Sequence, residues 1–185
     1  MSLDVRPSED GDVPAIAAIY AHYVATSDAT FEEQAPGPEE VASRRHEVVR
    51  RGLPYLVALW DGAVVGYAYA HPYRGRIGYR HSLEDSIYVD PRYAGRGIGR
   101  RLLEEIVRIT TEKGYRQMVA VIGSRENLAS IRLHASCGFR EVGALTSIGI
   151  KFGRWVDTIF MQRPLGEGDR TIPAALVDKT PSFEG

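Results

Sequence analysis

The sequence contains one cysteine, Cys137, so the chain cannot form an internal disulfide or a zinc site built from several cysteines. It also has no apolar run approaching the roughly 20 residues that span a bilayer. Its opening residues, MSLD, are not typical of a secretory signal. We therefore expect a cytoplasmic protein without membrane contact, in which Cys137 is a small buried packing residue.

The sequence also has no excess of positive or negative charge. Lys and Arg total 23 against 24 Asp and Glu, which gives a formal net charge of −1. Nucleic acids and anionic lipid surfaces attract proteins through clustered positive charge, so this balance gives no general affinity for either. We expect no nucleic-acid partner and no metal cofactor. Any binding of an anion must come from a local arrangement of residues.

The chain does have enough apolar residues for one core. Its 185 residues are 44% hydrophobic and 25% charged, which is typical of a globular domain. No internal repeat or linker interrupts the pattern. We expect one domain over residues 1–165, followed by a C-terminal tail over 166–185 that is mobile, or that docks on the surface near 172–177.

Apolar periodicity predicts both strands and helices. Strands are predicted at residues 3–6, 55–60, 63–69, 82–89 and 118–122, with two more between 140 and 163. Helices are predicted at 13–24, from 38 to near 52, at 98–113 and at 126–136, the first capped by Asp10 or Asp12. The Asp61-Gly62 turn predicts an antiparallel hairpin, and residues 26–38 form a long loop that contains Phe31.

The most informative segment joins the strand at 82–89 to the following helix. Residues 90–103 read DPRYAGRGIGRRLL, with glycines at 95, 97 and 99 and arginines at 96, 100 and 101. Glycine lets a backbone approach an anion closely, and the first turn of a helix offers free N–H groups and partial positive charge. The segment predicts a phosphate-binding loop formed by Gly95, Arg96, Gly97, Ile98, Gly99 and Arg100.

Two common glycine-rich phosphate loops do not fit this segment. The nucleoside-triphosphate loop requires Gly-Lys-Ser/Thr, whereas Gly99 is followed by two arginines. The dinucleotide-binding fold requires Gly-x-Gly-x-x-Gly and an acid about 20 residues further on, and residues 115–121 contain no acid. The remaining possibility for a ligand is the pyrophosphate of another cofactor. The alternative is that the segment binds nothing and is only a tight turn that connects the strand to the helix.

Three further motifs follow in order: VAVIG at 119–123, ENxxSIxLH at 126–134 and GF at 138–139. Together with the glycine-rich loop they resemble the GNAT family of acetyl-coenzyme A-dependent N-acetyltransferases. The resemblance is closest to the phosphinothricin and methionine sulfoximine acetyltransferase branch, and it extends over about residues 5–165. It implies an α/β (α+β) fold, in which a mixed, mostly antiparallel, twisted sheet with splayed central strands is flanked by helices.

The resemblance also implies that acetyl-CoA enters the gap between the splayed strands. The pantetheine amides would pair with one strand through Ile87, Tyr88 and Val89 while the loop holds the pyrophosphate. The family usually has Gln or Arg at the position of Ala94, so one side-chain contact is missing. Asn127 and Ser130 would contact the arm of the cofactor, although Asn127 also suits a helix N-cap.

Transfer to an amine requires that the ammonium lose a proton before nitrogen attacks the thioester. The resemblance places this base at Glu84, although a solvent-facing strand residue would fit the same pattern. Asp85 points to the opposite face of an extended strand and should not replace it. His134 matches a histidine of the branch and is either the acid for the departing thiolate or a helix residue bonded to the core.

A small substrate that bears a carboxylate needs a cation in its pocket. Arg74 and Arg80 are the candidates, with Tyr79 beside them and Phe31 as an apolar wall; ordinary surface charge is the alternative for the arginines. A late motif at 151–157 contributes Lys151, Trp155 and Asp157 to the substrate site or to a subunit contact. Because the branch commonly forms dimers, we expect a homodimer.

The sequence therefore predicts direct acetyl transfer from acetyl-CoA to the α-amine of a small amino acid analogue such as phosphinothricin or methionine sulfoximine. No acyl-enzyme is required. Two alternatives remain open at this point. One is acetylation of a protein N-terminus, and the other is a binding module that senses acetyl-CoA without turnover.

Overall fold

A computed structural model of the chain describes residues 2–173. Its strands are β1 (Leu3–Pro7), β2 (Tyr55–Trp60), β3 (Ala63–Pro72), β4 (Ser82–Val89), β5 (Gln117–Gly123), β6 (Arg140–Lys151) and β7 (Arg154–Pro164). Its helices are α1 (Val13–Thr26), α2 (Pro38–Arg50), α3 (Ile98–Glu112) and α4 (Leu128–Ser136). Every strand and helix predicted from the apolar pattern is present. The last helix begins two residues later than predicted because Asn127 is its N-cap.

Local sequence explains where the first two helices begin. Asp12 holds the N-cap position of α1 and a proline lies in the first turn, but the Asp12 carboxylate accepts from Arg6 and the Glu9 N–H and makes no capping bond to the helix. A proline also opens α2, which has Glu39 and Glu40 in its first turn and Arg50 in its last. This charge distribution complements the partial positive and negative charges at the two ends of a helix.

The strands form one seven-stranded sheet within residues 2–173, in the order β1-β2-β3-β4-β5-β7-β6. All neighbours are antiparallel except β4 and β5, which are parallel. Their pairing runs only from Ser82↔Gln117 to Asp85↔Ala120, although both strands continue further. The central strands therefore separate after Asp85, and the predicted mixed, mostly antiparallel sheet with splayed strands is confirmed.

Helices cover the two faces of this sheet. On one face, Ile98, Leu102 and Ile106 of α3 are 0–1% exposed, and two of them lie against Gly66 of β3. Full burial of each such side chain contributes about 1.5–3 kcal/mol. On the other face, Tyr88 of β4 makes edge contacts with tyrosines of α1. Successive residues of β4 therefore face different helices.

The segment after β7 begins close to the domain. Leu165 is 1% exposed and its N–H donates to the Arg116 carbonyl at 2.9 Å. Arg116 also pairs with Glu167 at 3.3 Å. The predicted tail beyond residue 173, which includes most of the proposed docking segment 172–177, lies outside the described residues. No helix among residues 2–173 is long and apolar enough to cross a membrane.

Candidate active site

A cavity of about 490 Å³ opens where β4 and β5 separate. Its wall is formed by the end of β4, the end of β5, the start of α3 and one side of α4. Ten of the eleven residues predicted to bind the cofactor line it: Ile87, Tyr88, Val89, Gly95, Gly97, Ile98, Gly99, Arg100, Asn127 and Ser130. The wedge between the strands and the glycine-rich loop therefore belong to the same space.

The loop before α3 presents its backbone to this cavity. Gly97 is the N-cap of α3 with φ of 78°, and Gly95 has φ of 75°, a left-handed conformation that favours glycine. The first helical bond of this turn is donated by Arg101 to the Gly97 carbonyl at 3.1 Å. The preceding N–H groups of the helix have no intrahelical acceptor, so they are available to an anion.

Two arginines line the cavity and a third does not. Arg100 of α3 and Arg132 of α4 are exposed and lie in its wall. Sequence reasoning did not single out Arg132, because its position within α4 does not indicate that its side chain reaches the cavity. Arg96 instead lies over the rings of Trp60 and Tyr93, at 5.1 and 5.2 Å, outside the lining. Its predicted phosphate contact stays a prediction.

Asn127 and Ser130 occupy the first turn of α4. The Asn127 side chain accepts a hydrogen bond from the Ser130 N–H at 3.2 Å, which confirms the N-cap interpretation. Both residues also line the cavity. The structural role and a ligand contact are therefore compatible at this position.

His134 lies on the cavity wall and is only 2% exposed. Its Nε2 is 3.0 Å from Oδ2 of Asp85, and its Nδ1 is 2.8 Å from the Ser130 carbonyl oxygen. Burial alone would lower the pKa of His134, but the hydrogen bond and charge of Asp85 outweigh it and raise the pKa above its ordinary value. The ring is thus bonded to the core and also faces the predicted cofactor space.

Glu84 lies on the opposite face of β4 and is not part of the cavity lining. Its side chain is 23% exposed, so the solvent-facing interpretation does not describe it, and Oε1 is 3.7 Å from Nε2 of His71. Burial, joined by the negative charge of Asp85, raises the pKa of Glu84 to about 7 against a smaller effect of Arg74. A carboxyl group with this pKa exchanges protons readily near neutrality.

His71 is a neighbour of Glu84 that sequence reasoning missed. Its Nδ1 donates to the Pro72 carbonyl at 3.1 Å, and burial lowers the pKa of His71. The neutral ring therefore directs the lone pair of Nε2 toward Glu84. In the sequence, His71 alternates with tyrosines along β3. This pattern could have pointed to a functional histidine, but it is equally typical of a residue that only packs on the sheet.

The predicted substrate residues are not among the residues that line this cavity. The Arg74 guanidinium lies 5.2 Å from the centre of the Tyr73 ring, and its charge acts on the pKa of Glu84. Tyr79 contacts the same Tyr73 ring edge-on at 5.8 Å. Arg80 is exposed, and its guanidinium donates to the Ile77 carbonyl. Ile77 lies in the short helical turn that directly precedes Arg80.

Phe31 and Lys151 meet at the loop between α1 and α2. The Phe31 ring packs on Gly149 of β6, where an added Cβ would come within 2.7 Å of the ring. Lys151 is 2% exposed, and its Nζ donates to the carbonyls of Ser27 and Thr30 at 2.8 and 2.6 Å. Lys151 therefore fixes the loop between α1 and α2 through two buried hydrogen bonds, a role that sequence reasoning did not consider.

The other two residues of the late motif have separate environments. Asp157 accepts a hydrogen bond from the Ser147 N–H at 2.8 Å and pairs with Arg125 at 3.2 Å. Trp155 is 64% exposed on β7.

Cys137 is 6% exposed, and burial raises the pKa of its thiol, as expected for a packing residue. Residues 2–173 contain no group of three or more His, Cys, Asp or Glu side chains that could hold a metal ion.

This combination of a splayed sheet and an anion-binding helix start agrees with a comparison against protein families. The model of the acetyltransferase (GNAT) family matches residues 17–139. The chain belongs to the GNAT family and is an N-acetyltransferase.

Individual proteins give the same result. The chain is 51% identical over 169 residues to a phosphinothricin N-acetyltransferase of Alcaligenes faecalis, which covers 91% of this chain and 86% of that protein. It is 36% identical over 165 residues to an L-methionine sulfoximine/L-methionine sulfone acetyltransferase of Salmonella typhimurium, covering 89% and 96%. A phosphinothricin acetyltransferase of Sinorhizobium meliloti, solved with acetyl-CoA, matches with a TM-score of 0.94 and 44% identity over 100% of both chains. The predicted family and its co-substrate, acetyl-CoA, are confirmed.

Proposed function

We propose that the protein transfers the acetyl group of acetyl-CoA to the α-amine of a small amino acid analogue of the phosphinothricin or methionine sulfoximine type. The observation that carries this proposal is the cavity between β4 and β5, which has an anion-binding helix start and two oppositely facing acid–base groups in its vicinity. The names of the two relatives in Alcaligenes and Salmonella support the substrate class.

The unpaired edge of β4 is the proposed site of the pantetheine arm. Beyond Asp85 this strand has no partner strand on its β5 side. Among its backbone groups, the Val89 carbonyl accepts a hydrogen bond from the Tyr23 hydroxyl at 2.6 Å. Pantetheine amides would pair with Ile87 and Val89 as an additional strand does. The diphosphate would lie at the start of α3, within reach of Arg100 and Arg132.

Glu84 is the proposed general base. It removes a proton from the substrate ammonium, directly or through water, and the amine nitrogen then attacks the thioester carbonyl. Its pKa of about 7 suits this transfer near neutrality. His134 is the proposed source of the proton that the departing thiolate takes. Direct transfer needs no nucleophilic cysteine, and Cys137 is buried with a raised pKa.

The substrate carboxylate is proposed to bind near Arg74, because that arginine is close enough to Glu84 for its charge to act on the same reaction centre. Arg80 and Tyr79 belong to the same exposed segment, 74–80, and Phe31 lies on the loop whose Ala29 lines the cavity wall. A carboxylate and an α-amine separated by one carbon suit a cation and a base whose charges act on each other, as those of Arg74 and Glu84 do.

The proposal is tested by measuring release of free coenzyme A thiol with a panel of amines. Phosphinothricin and methionine sulfoximine should react, while the same compounds lacking the carboxylate should show a raised KM. Faster release with peptides bearing a free N-terminus would instead support N-terminal acetylation. Tight acetyl-CoA binding without release from any amine would support the sensor and overturn the proposal.

A homodimer formed through the β6–β7 hairpin is also proposed. Strand β6 is the edge of the sheet, and its hairpin with β7 exposes six apolar side chains, each 46–64% exposed: Val142, Leu145, Ile148, Ile150, Phe152 and Trp155. Apolar surface of this extent on an unpaired edge strand is typical of an interaction site. We place the protein in the cytoplasm, where its single free cysteine stays reduced.

A further inference from the structure

Asp85 occupies the fork of the sheet. It is the last residue of β4 that pairs with β5, through Ala120, and the two strands separate immediately after it. Its side chain is 1% exposed and that of His134 is 3% exposed, so the pair is enclosed at the fork. Both residues line the cavity.

The geometry of this pair requires a proton between the two side chains. A carbonyl oxygen only accepts hydrogen bonds, so Nδ1 of His134 must donate to Ser130 at 2.8 Å. The remaining nitrogen, Nε2, then faces Oδ2 of Asp85 at 3.0 Å. Without a proton there, two lone pairs would face each other in a buried site, at a high electrostatic cost.

Asp85 is the acidic side chain in contact with the ring, and its hydrogen bond and charge raise the pKa of His134 against the effect of burial. Its second oxygen, Oδ1, is buried and has no hydrogen-bond partner among residues 2–173, so the side chain is held through Oδ2. Glu84 lies on the other face of β4, and Cys137 after α4 is a buried thiol with a raised pKa. Phe139 places its ring edge-on to His134 at 5.1 Å, and Arg100 of α3 is exposed on the cavity wall.

We propose that Asp85 is a positioning residue that holds one proton on His134 ready for the thiolate of coenzyme A. This inference rests on the proposed function, because it deepens the role given there to His134. Asp85 acts through the histidine. It fixes the orientation of the ring, and its negative charge keeps both ring nitrogens protonated while the cavity is closed to water by the cofactor.

The proton balance of the reaction is complete with this pair. The ammonium gives one proton to Glu84, and the amine then adds to the thioester carbonyl. The adduct nitrogen releases a second proton as the C–S bond breaks, and the electron pair of that bond goes to sulfur. Sulfur takes the proton from Nε2 of His134. One of the two released protons restores His134, so one proton leaves to solvent in each turnover.

The energetics favour this direction of transfer. A thiol has an ordinary pKa of about 8.5, so a thiolate accepts a proton from an imidazolium near neutrality. The neutral ring that remains faces the Asp85 carboxylate, an unfavourable contact that favours rapid recovery of the proton. The pair therefore resets after each turnover.

The test compares wild type with Asp85→Asn, using ¹⁵N-histidine NMR and the pH dependence of kcat. In wild type both ring nitrogens of His134 should be protonated at pH 7, and this state should persist above the pH at which free histidine titrates. In Asp85→Asn the ring should become neutral at lower pH. The alkaline limb of kcat should move in the same direction, with about a 100-fold loss at pH 8 and an unchanged KM for acetyl-CoA.

Asp12→Asn is the matched control, because Asp12 is also buried and paired, with Arg6 at 2.7 Å, but lies outside the cavity. It should lower stability without moving either titration. Asp85→Glu, which restores a carboxylate, should recover part of kcat and the wild-type pH profile.

A wild-type His134 with one protonated nitrogen at pH 7 would overturn the proposal, and this measurement needs no variant. An Asp85→Asn enzyme that loses activity while its pH profile stays unchanged would also overturn the proposal. That result would mean that the hydrogen bond between Asp85 and His134 has only a structural role. The NMR titration uses no substrate. A neutral His134 and a failure to release thiol with any amine are therefore separate results, and only the second contradicts the proposed function.

Discussion

Glu84 and Asp85 are adjacent in the chain, yet their carboxyl groups face opposite sides of β4. Glu84 lies 3.7 Å from His71, whereas Asp85 lies 3.0 Å from His134. The two are not independent, because the charge of Asp85 raises the pKa of Glu84. A base on one face and a proton source on the other would approach the thioester from both sides of the strand.

Glu84→Gln should lower kcat by about 10²–10⁴-fold and leave the affinity for acetyl-CoA nearly unchanged, because the amide cannot accept the ammonium proton. Wild-type kcat/KM should rise with pH with a midpoint near 7, since Glu84 acts when ionised and its pKa is about 7. Steady-state rates between pH 5 and 9 measure both effects. Glu39→Gln, an exposed change on α2, is the control. Equal losses of kcat and acetyl-CoA affinity would assign Glu84 a structural role.

The same variant should alter stability in a pH-dependent way. Because folding raises the pKa of Glu84 to about 7, the protonated form is favoured in the folded state, and this contribution is lost as pH rises from 4.5 through 7. Glu84→Gln lacks the loss. Its free energy of unfolding relative to wild type should therefore increase by about 1–3 kcal/mol between pH 5 and pH 8. Urea denaturation at both pH values measures this difference, and a constant difference would contradict it.

Gly97→Ala should weaken coenzyme A binding by about tenfold, equivalent to about 1.4 kcal/mol. The left-handed backbone of Gly97 disfavours a side chain, and the new Cβ would point into open space at the start of α3. Gly62→Ala is a matched control, since Gly62 has φ of 86° and open space but lies in the β2–β3 turn. Isothermal titration calorimetry compares the two. Similar weakening in both variants would remove the loop from the binding site.

Lys151→Met should raise the KM for the amine more than that for acetyl-CoA. The methionine leaves the Ser27 and Thr30 carbonyls without their donor, so the loop that carries Phe31 loses its anchor. Loss of these bonds should also cost about 1–3 kcal/mol of stability. Lys113→Met, at the exposed end of α3, is the control. Initial rates with each substrate varied separately give the comparison, and an unchanged KM for the amine would show that the loop does not shape its pocket.

Ile148→Asp should convert the proposed dimer to a monomer, because it places a charge in the middle of the exposed apolar side of the β6–β7 hairpin. Ile77→Asp is the matched control, since Ile77 is 68% exposed but lies before β4. Sedimentation velocity distinguishes the two states. A wild-type protein that sediments as a monomer at all concentrations would rule out the interface.

Local patterns predicted the parts of the site that are local. The glycines before Ile98 predicted an anion-binding loop, because the loop and the helix start are consecutive in the chain. The gap between β4 and β5 was instead implied by the resemblance to the GNAT family. The partnership of Asp85 with His134 joins residues 49 positions apart, and Lys151 reaches carbonyls more than 120 positions away. Neither follows from spacing, because both depend on which elements the fold brings together.

The substrate side was predicted less completely for a related reason. Arg74, Tyr79 and Arg80 lie in a short exposed segment whose side chains are directed by their immediate neighbours, such as the Tyr73 ring and the Ile77 carbonyl. Residue type alone could identify cations there, but it could not determine which of them approaches Glu84.

Where β4 and β5 separate, β4 has no partner strand on its β5 side beyond Asp85, and acetyl-CoA is proposed to pair there. Acetyl-CoA therefore supplies the missing half of a β-ladder as well as a reactive group. A ligand that binds only the folded state adds to its thermal resistance in proportion to the logarithm of its concentration. We therefore expect the enzyme loaded with acetyl-CoA to unfold at a higher temperature than the same enzyme without it.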